Sequence, residues 1–218
     1  QRKYALTVIT RIFYSVNTSR SGRLNLREVR RSNLVAEFTH VDEEEDINKV
    51  TNYFSYEHFY VMYCRFFELD SDNDGRIVRD DLLKYADHAM NEVLIDRVFK
   101  VGVRAFSDGR EGRFEADGMT YPDFIYFMLA EEDKTNLMSL RYWFNCLDLD
   151  GDGILAVEDM QYFYRTQVHR LTSLGHENIL FEDLQCQMMD LIHPPNPHAM
   201  TLQDFTNPEK MKVSGIAK

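Results

Sequence analysis

The feature that most constrains the fold is a short acidic pattern that occurs twice in the chain. Residues 148–154 read DLDGDGI and residues 70–77 read DSDNDGRI, with carboxylates at alternating positions before a glycine. This spacing is that of an EF-hand calcium loop, in which positions 1, 3, 5, 7, 9 and 12 supply ligands and the glycine at position 6 makes a sharp turn. Two copies predict an all-α fold of EF-hand-like helix–loop–helix units that bind a hard cation.

The two loops run over residues 70–81 and 148–159, and helix-spaced apolar residues precede and follow each of them. A polar Asp-Gly turn without metal is the alternative. The candidate metal ligands are aspartate side chains and, at position 7, backbone carbonyls: Asp70, Asp72, Asp74, the carbonyl of Arg76 and Asp81 in the first loop, and Asp148, Asp150, Asp152, the carbonyl of Ile154 and Asp159 in the second.

Position 12 is usually a glutamate that binds calcium with both oxygens, but here it is Asp81 in one loop and Asp159 in the other. Aspartate is shorter by a methylene, so we expect weaker calcium binding than in tight EF-hand buffers. The first loop also contains Arg76 and Arg79, whereas the second contains no base and adds Glu158. We predict one or two calcium ions, with the second loop the tighter unless the arginines point away. Magnesium is the alternative at the weaker loop.

EF-hands pair with one another, because a single hand leaves an apolar face and a strand edge uncovered. The two acidic loops start 78 residues apart, so each needs a degenerate partner. Degenerate units are recognisable near residues 17–28, 53–59, 118–124 and 199–205. Six units make three pairs, joined by short two-residue β bridges around position 8, which is occupied by Leu24, Phe54, Ile77, Met119, Leu155 and Met200.

The spacing of the units predicts how the chain is divided. Phe54 and Ile77 lie so close that one helix, from about Tyr56 to Leu69, must leave one hand and enter the next. We expect an N-terminal EF-hand domain over residues 1–131 and a C-terminal one over residues 132–218. The chain starts without a methionine and shows no signal peptide, so we expect it to be part of a longer protein.

Composition limits the partners. The net charge of −11 argues against nucleic-acid binding, although residues 1–31 hold eight Lys or Arg and one acid. That basic segment is either a solvated helix face or a docking surface for an acidic partner. The longest apolar run has seven residues, so no membrane span is predicted.

We interpret Cys64, Cys146 and Cys186 as reduced, buried thiols of a cytoplasmic protein, with an additional nuclear or centrosomal location as the alternative.

No set of residues predicts catalysis. The histidines lack metalloprotease spacing, and neither a Gly-rich phosphate loop nor a Gly-x-Ser-x-Gly elbow occurs. We therefore assign no catalytic or organic cofactor-binding residues. An aromatic stretch over residues 53–67 is expected to be mostly core, with Tyr56 or Tyr60 at the surface as partner contacts.

Several segments resemble the B'' (B-double-prime) regulatory subunits of serine/threonine protein phosphatase 2A. They are residues 7–14 (TVITRIFY), 30–33 (RRSN), 53–60 (YFSYEHFY) and 142–144 (YWF), beside the acidic loop that starts at Asp148. The resemblance spans almost the whole chain. It implies a regulatory EF-hand core that binds the HEAT-repeat scaffold subunit and the catalytic subunit and helps to select phosphoprotein substrates, with calcium supporting assembly.

The chain departs from the family pattern at one ligand position, and two other functions are considered. Glutamate is usual at the position of Asp159 in the family, which weakens the expected affinity of that loop. A stand-alone calcium sensor that exposes an apolar groove to target peptides is the main alternative function. An EF-hand module fused to a catalytic domain outside these residues is the third.

Overall fold

The computed structural model describes residues 1–46, 49–88, 90–107, 114, 117–173, 175, 177 and 179–206. Within them the fold is helical with two small strand pairs, as predicted. The helices are α1 (Arg2–Val16), α2 (Leu26–Arg31), α3 (Leu34–Glu43), α4 (Tyr56–Leu69), α5 (Arg79–Leu82), α6 (Glu92–Val101), α7 (Tyr121–Glu132), α8 (Leu137–Leu147), α9 (Val157–Ser173), α10 (Phe181–Ile192) and α11 (Leu202–Thr206). The strands are β1 (Arg76–Ile77), β2 (Met119–Thr120), β3 (Ile154–Ala156) and β4 (Ala199–Thr201).

Helix α4 has the bounds expected of a helix shared by two hands. Its start is capped by Ser55, whose hydroxyl accepts a hydrogen bond from the backbone N–H of His58. It ends at Leu69, directly before the first acidic loop. In the described part of the chain, no helix combines the length and apolar character needed to cross a membrane.

Each acidic loop pairs with a degenerate loop through an antiparallel strand pair. Ile77 lies opposite Met119, and Leu155 lies opposite Met200, which confirms the predicted partners. The second strand pair has three residues per strand where two were expected. The remaining predicted pair shares a core, because Leu24 packs against the cluster that contains Phe54, but no strand pairing joins these loops in the described residues.

Among the described residues, three apolar clusters form the core. The largest joins α1, α4, α6, α7 and α8 around residues such as Phe66, Phe124 and Phe127. A second lies between α1 and the segment around Phe54, and a third surrounds Leu155 in the last pair of hands. Helix α8 contributes to both the first and the third cluster. The division of the chain at residues 131 and 132 stays a prediction, and residues 207–218 of the second domain lie outside the described residues.

The cysteines are only partly as predicted. All three are free thiols, and Cys146 is buried, where burial raises the pKa of its thiol to about 12. Cys64 is half-buried and Cys186 is exposed, so the prediction of burial was wrong for these two. The reason at Cys186 is its place on α10 between two glutamines, on a face that the core does not cover.

Candidate metal centres

Each acidic loop begins with a buried aspartate at the end of a helix. Asp70 follows α4 and Asp148 follows α8, and their exposed fractions are 1% and 6%. The Asp70 carboxylate accepts the backbone N–H of Gly75 at 3.0 Å, and Asp148 accepts that of Gly153 at 2.9 Å. These bonds curl the first half of each loop around its first carboxylate, as a metal loop requires.

The glycines at position 6 make the turn that a side chain would resist. Gly75 and Gly153 have φ values of +82° and +84°, in the left-handed region. The turn gathers three carboxylates in each loop, whose ligand oxygens lie within 4.8 Å of one another: Asp70, Asp72 and Asp74 in the first, and Asp148, Asp150 and Asp152 in the second. All of these donors are hard oxygens, so both loops fit calcium or magnesium.

The aspartates at position 12 are buried but lie outside these groups of three. Asp81 accepts the backbone N–H of Val78 at 3.3 Å, which caps α5. Asp159 accepts the N–H of Ala156 at 2.9 Å with one oxygen and that of Leu149 at 3.2 Å with the other. Both carboxylates therefore hold the start of the exit helix, and their role as ligands stays a prediction.

The two arginines of the first loop form ion pairs with carboxylates other than its candidate metal ligands, and Arg79 also lies 3.5 Å from Asp80 of the loop. Arg76 donates to the carbonyl of Asp117 at 2.9 Å and to its carboxylate at 3.1 Å. Arg79 donates to Asp96 at 2.5 Å. These arginines therefore neutralise less of the first loop's negative charge than the sequence predicted. This weakens the argument from charge that the second loop binds calcium more tightly.

Lys84 supplies the base that the sequence argument missed. Its ammonium lies 3.1 Å from a carboxylate oxygen of Asp81 and 3.1 Å from the hydroxyl of Ser71. This ammonium therefore competes with a metal ion for the Asp81 carboxylate. Lys84 lies in the turn that follows α5, where its backbone N–H donates to the carbonyl of Asp81 at 3.0 Å, so residues three apart in sequence are neighbours there.

Arg97, on α6, holds the start of the second loop. Its guanidinium donates to the carbonyl of Cys146 at 3.0 Å, that of Asp148 at 2.5 Å and that of Asn145 at 3.3 Å. These carbonyls lie at the end of α8, where helical partners are missing. Arg97 thereby fixes the position at which Asp148 enters the loop, and no local sequence signal marks it.

The degenerate loop over residues 17–28 keeps the shape of a metal loop through hydrogen bonds. Asn17, at position 1, accepts the N–H of Ser21 at 3.2 Å. Glu28, at position 12, accepts the N–H of Ser19 at 2.8 Å and that of Asn25 at 3.1 Å. Burial alone would raise the pKa of Glu28, but these hydrogen bonds outweigh it and the pKa lies below its ordinary value.

Comparison with known proteins agrees with this geometry. A family model described as an EF-hand domain matches residues 1–44, and one described as an EF-hand domain pair matches residues 59–165. The second match includes both acidic loops, although in the structure each of them pairs with a degenerate loop. EF-hand domains imply calcium binding.

The relatives are more specific. The chain is 50% identical over 205 residues to a probable B''epsilon regulatory subunit of protein phosphatase 2A from Arabidopsis thaliana, covering 94% of this chain and 38% of the relative. It is 47% identical to the alpha form of the B'' regulatory subunits from Homo sapiens, covering 93% of this chain and 17% of the relative. The chain belongs to the B'' family of protein phosphatase 2A regulatory subunits. It is a member of a regulatory, non-enzymatic family.

A solved structure supports the same assignment. A chain of a structure described as a PP2A PR70 holoenzyme, with the label diCa, matches with a TM-score of 0.85 and 45% identity over 96% of this chain and 75% of that chain. The chain spans about two fifths of the Arabidopsis B'' relatives that it matches. The scaffold, the catalytic subunit and the substrates therefore enter as proposals.

Proposed function

We propose that this chain is a calcium-binding regulatory subunit that binds the scaffold and catalytic subunits of protein phosphatase 2A and directs the selection of phosphoprotein substrates, with calcium supporting assembly. The observation that carries the proposal is identity of 45–50% to B'' subunits over most of the chain, together with two complete acidic loops. The cytoplasmic location, with a nuclear or centrosomal pool as the alternative, stays a prediction.

The metal would be held by the three clustered aspartates of each loop, the carbonyls of Arg76 and Ile154 at position 7, and the aspartates at position 12. A cation that binds only the folded state stabilises it, by roughly 2.7 kcal/mol when its concentration is 100 times the dissociation constant. Such stabilisation would brace two of the three pairs of hands. We propose two calcium ions, with magnesium as the alternative in the first loop.

The second loop is proposed to be the tighter one, now for a different reason. Lys84 competes for Asp81 in the first loop, whereas Asp159 has no ammonium or guanidinium partner among the described residues. Calorimetric titration of Asp70→Ala and Asp148→Ala tests the ranking. Asp148→Ala should remove the stronger calcium site, and a stronger site that survives this substitution contradicts the ranking.

Two exposed tyrosines on α4 are proposed as contacts with the scaffold subunit. The exposed fractions of Tyr56 and Tyr60 are 48% and 57%, whereas most of the aromatic stretch around them is buried or half-buried. Exposed aromatic side chains are frequent binding hot spots. Alanine at both positions should weaken binding to the scaffold, and unchanged affinity would refute the assignment.

A stand-alone calcium sensor is the second candidate, because the last pair of hands carries an apolar groove of about 540 Å³. Phe163 and Leu171 of α9 and Phe181 of α10 line it. A sensor would expose this groove only with calcium. Calcium-dependent binding of an apolar dye, lost in Phe163→Ser, would favour the sensor, whereas calcium-independent dye binding favours the regulatory role.

A further inference from the structure

A cleft of about 500 Å³ lies on the side of the molecule formed by α2, the degenerate loop before it and the first half of α8. Arg27 and Arg31 of α2 and Arg141 of α8 line it, and Val16 and Leu137 supply apolar wall. It shares no residue with either acidic loop. The charge on its walls sets it apart from the rest of an acidic chain.

Arg27 and Arg31 are four residues apart and therefore project from the same face of α2. Both are exposed, and no carboxylate among the described residues lies within 4.0 Å of either guanidinium. Arg141 donates one hydrogen bond to the carbonyl of Thr18 at 2.9 Å, which fixes it in the wall of the cleft. Within the described part of the chain, three guanidinium groups therefore line one concave surface without an ion-pair partner.

One carboxylate, that of Glu28, also lines the cleft, but the loop already uses it. Its oxygens accept the backbone N–H groups of Ser19 and Asn25. The lining keeps a formal excess of two positive charges. An excess of positive charge along a cleft attracts an anionic ligand.

Other bases of the same N-terminal segment serve the fold. Arg11 donates to the carbonyl of Tyr53 at 2.9 Å, and the Lys3 ammonium lies 4.4 Å from the ring centroid of Tyr121. The bases of residues 1–31 are thus divided between internal contacts and exposed side chains, and two of the exposed arginines, Arg27 and Arg31, line the cleft. A solvated helix face, which is the alternative interpretation of this basic segment, does not account for the concave shape of the cleft or for the apolar side chains of Val16 and Leu137 in its wall.

We propose that this arginine cleft binds a phosphorylated serine or threonine side chain in an extended segment of a partner protein. A phosphoryl group carries about −1.5 to −2 charges at pH 7, which matches the excess of two on the cleft. Guanidinium forks suit its oxygens in bidentate pairs. The proposal concerns a site separate from the metal loops and does not depend on assembly with the phosphatase.

The test measures binding of fluorescent nonapeptide pools to the whole chain by anisotropy. One pool has a central phosphoserine with mixed flanking residues, and the other has serine at that position. The phosphorylated pool should bind about tenfold more tightly. The double substitution Arg27→Ala and Arg31→Ala should abolish the difference, and lysine at both positions should restore part of it, because lysine keeps the charge but loses the fork.

Arg65→Ala is the matched control, since Arg65 is an exposed arginine paired with Glu68 on α4, away from the cleft. It should bind both pools as the unsubstituted chain does, and circular dichroism verifies that every variant is folded. Equal binding of the two pools overturns the proposal. So does phosphopeptide binding that survives the double alanine substitution, or capture by phosphatidylserine vesicles without capture of the phosphorylated pool.

Discussion

At the scale of single residues, the acid at position 12 has a structural role that does not depend on metal. In the acidic loops Asp81 and Asp159 accept the N–H of the residue at position 9. Glu28, Asp123 and Asp204 do the same in three degenerate loops. This bond caps the exit helix, so these three degenerate loops keep the acid although other ligands are lost. The unit around residues 53–59 has His58 at position 12, and Ser55 caps its exit helix instead.

The same bond explains how aspartate is tolerated where glutamate is usual, and it leads to a prediction. Asp159→Glu adds the methylene that lets the carboxylate reach the ion with both oxygens. We expect tighter calcium binding at the second loop by calorimetry. Asp204→Glu, at position 12 of a degenerate loop, is the control and should leave the calcium isotherm unchanged. Unchanged affinity in Asp159→Glu would show that the capping bond, and not the length of the side chain, fixes this carboxylate.

A second prediction at this scale concerns Lys84. Lys84→Gln removes the ammonium that pairs with Asp81 and should tighten calcium binding at the first loop by roughly 1.4- to fivefold, because a partly exposed ion pair is worth about 0.2–1 kcal/mol. Lys134→Gln removes a similar pair with Glu131, at 2.9 Å, and neither residue belongs to an acidic loop. It should not alter calcium binding. An equal affinity of the Lys84→Gln and unsubstituted chains would contradict the competition.

At the scale of elements, the strand pairs depend on close approach between loops. Gly118 precedes β2 with φ +71°, and a Cβ added there would lie 2.9 Å from the carbonyl oxygen of Ile77 in β1. Gly175 also has positive φ, +79°, but a Cβ there would meet no atom of the described residues within 4 Å. Alanine at Gly118 therefore causes both a steric clash and backbone strain, whereas alanine at Gly175 causes backbone strain alone.

Alanine at each glycine tests this distinction by urea unfolding. Gly175→Ala should cost about 1–2 kcal/mol of unfolding free energy, which is the strain of a left-handed conformation. Gly118→Ala should cost more and should also weaken calcium binding at the first loop, because β1, which lies within that loop and includes the position-7 carbonyl of Arg76, must move. Equal losses in the two variants would mean that the β1–β2 approach is not tight.

Arg97 carries the corresponding prediction for the second loop. Arg97→Ala removes the charged donor from several carbonyls at the end of α8 and should lower the unfolding free energy by about 1.5–3 kcal/mol. Calcium binding at the second loop should weaken while the first loop is unaffected. Arg65→Ala, a surface arginine, is the control. A loss of stability without a change in calcium binding would restrict Arg97 to capping.

Much of this element structure could be predicted from the sequence. The acid–glycine spacing located both loops, and position 8 identified the strand partners of Ile77 and Leu155. Arg97 could not be found, because it acts on a helix end about fifty residues away and only the folded chain brings them together. The outward turn of Arg76 depends likewise on Asp117 in another loop. The exposure of Cys186 was missed because neighbouring apolar residues indicate a helix but not which of its faces is covered.

At the scale of the whole molecule, the pairs of hands are not independent. Helix α8 places Phe144 in the third apolar cluster, around Leu155, and Tyr142 in the largest cluster. Arg97 adds a polar connection from α6 to the second loop. The two acidic loops belong to different pairs, yet both lie at the ends of helices, α4 and α8, that pack in the largest core. Calcium in either loop should therefore stabilise a helix of the largest core, and the proposed role of calcium in assembly rests on this link between the loops and that core.

The most direct test of this account mixes the chain with purified scaffold and catalytic subunits of protein phosphatase 2A, in calcium and in chelator, and follows the complex by size-exclusion chromatography. We expect a ternary complex in calcium that weakens in chelator, and the double variant Asp70→Ala and Asp148→Ala should reproduce the effect of chelator when calcium is present. A complex of equal strength in both conditions would contradict the role of calcium. The absence of a ternary complex in either condition would contradict the central claim that this chain is a regulatory subunit of the phosphatase.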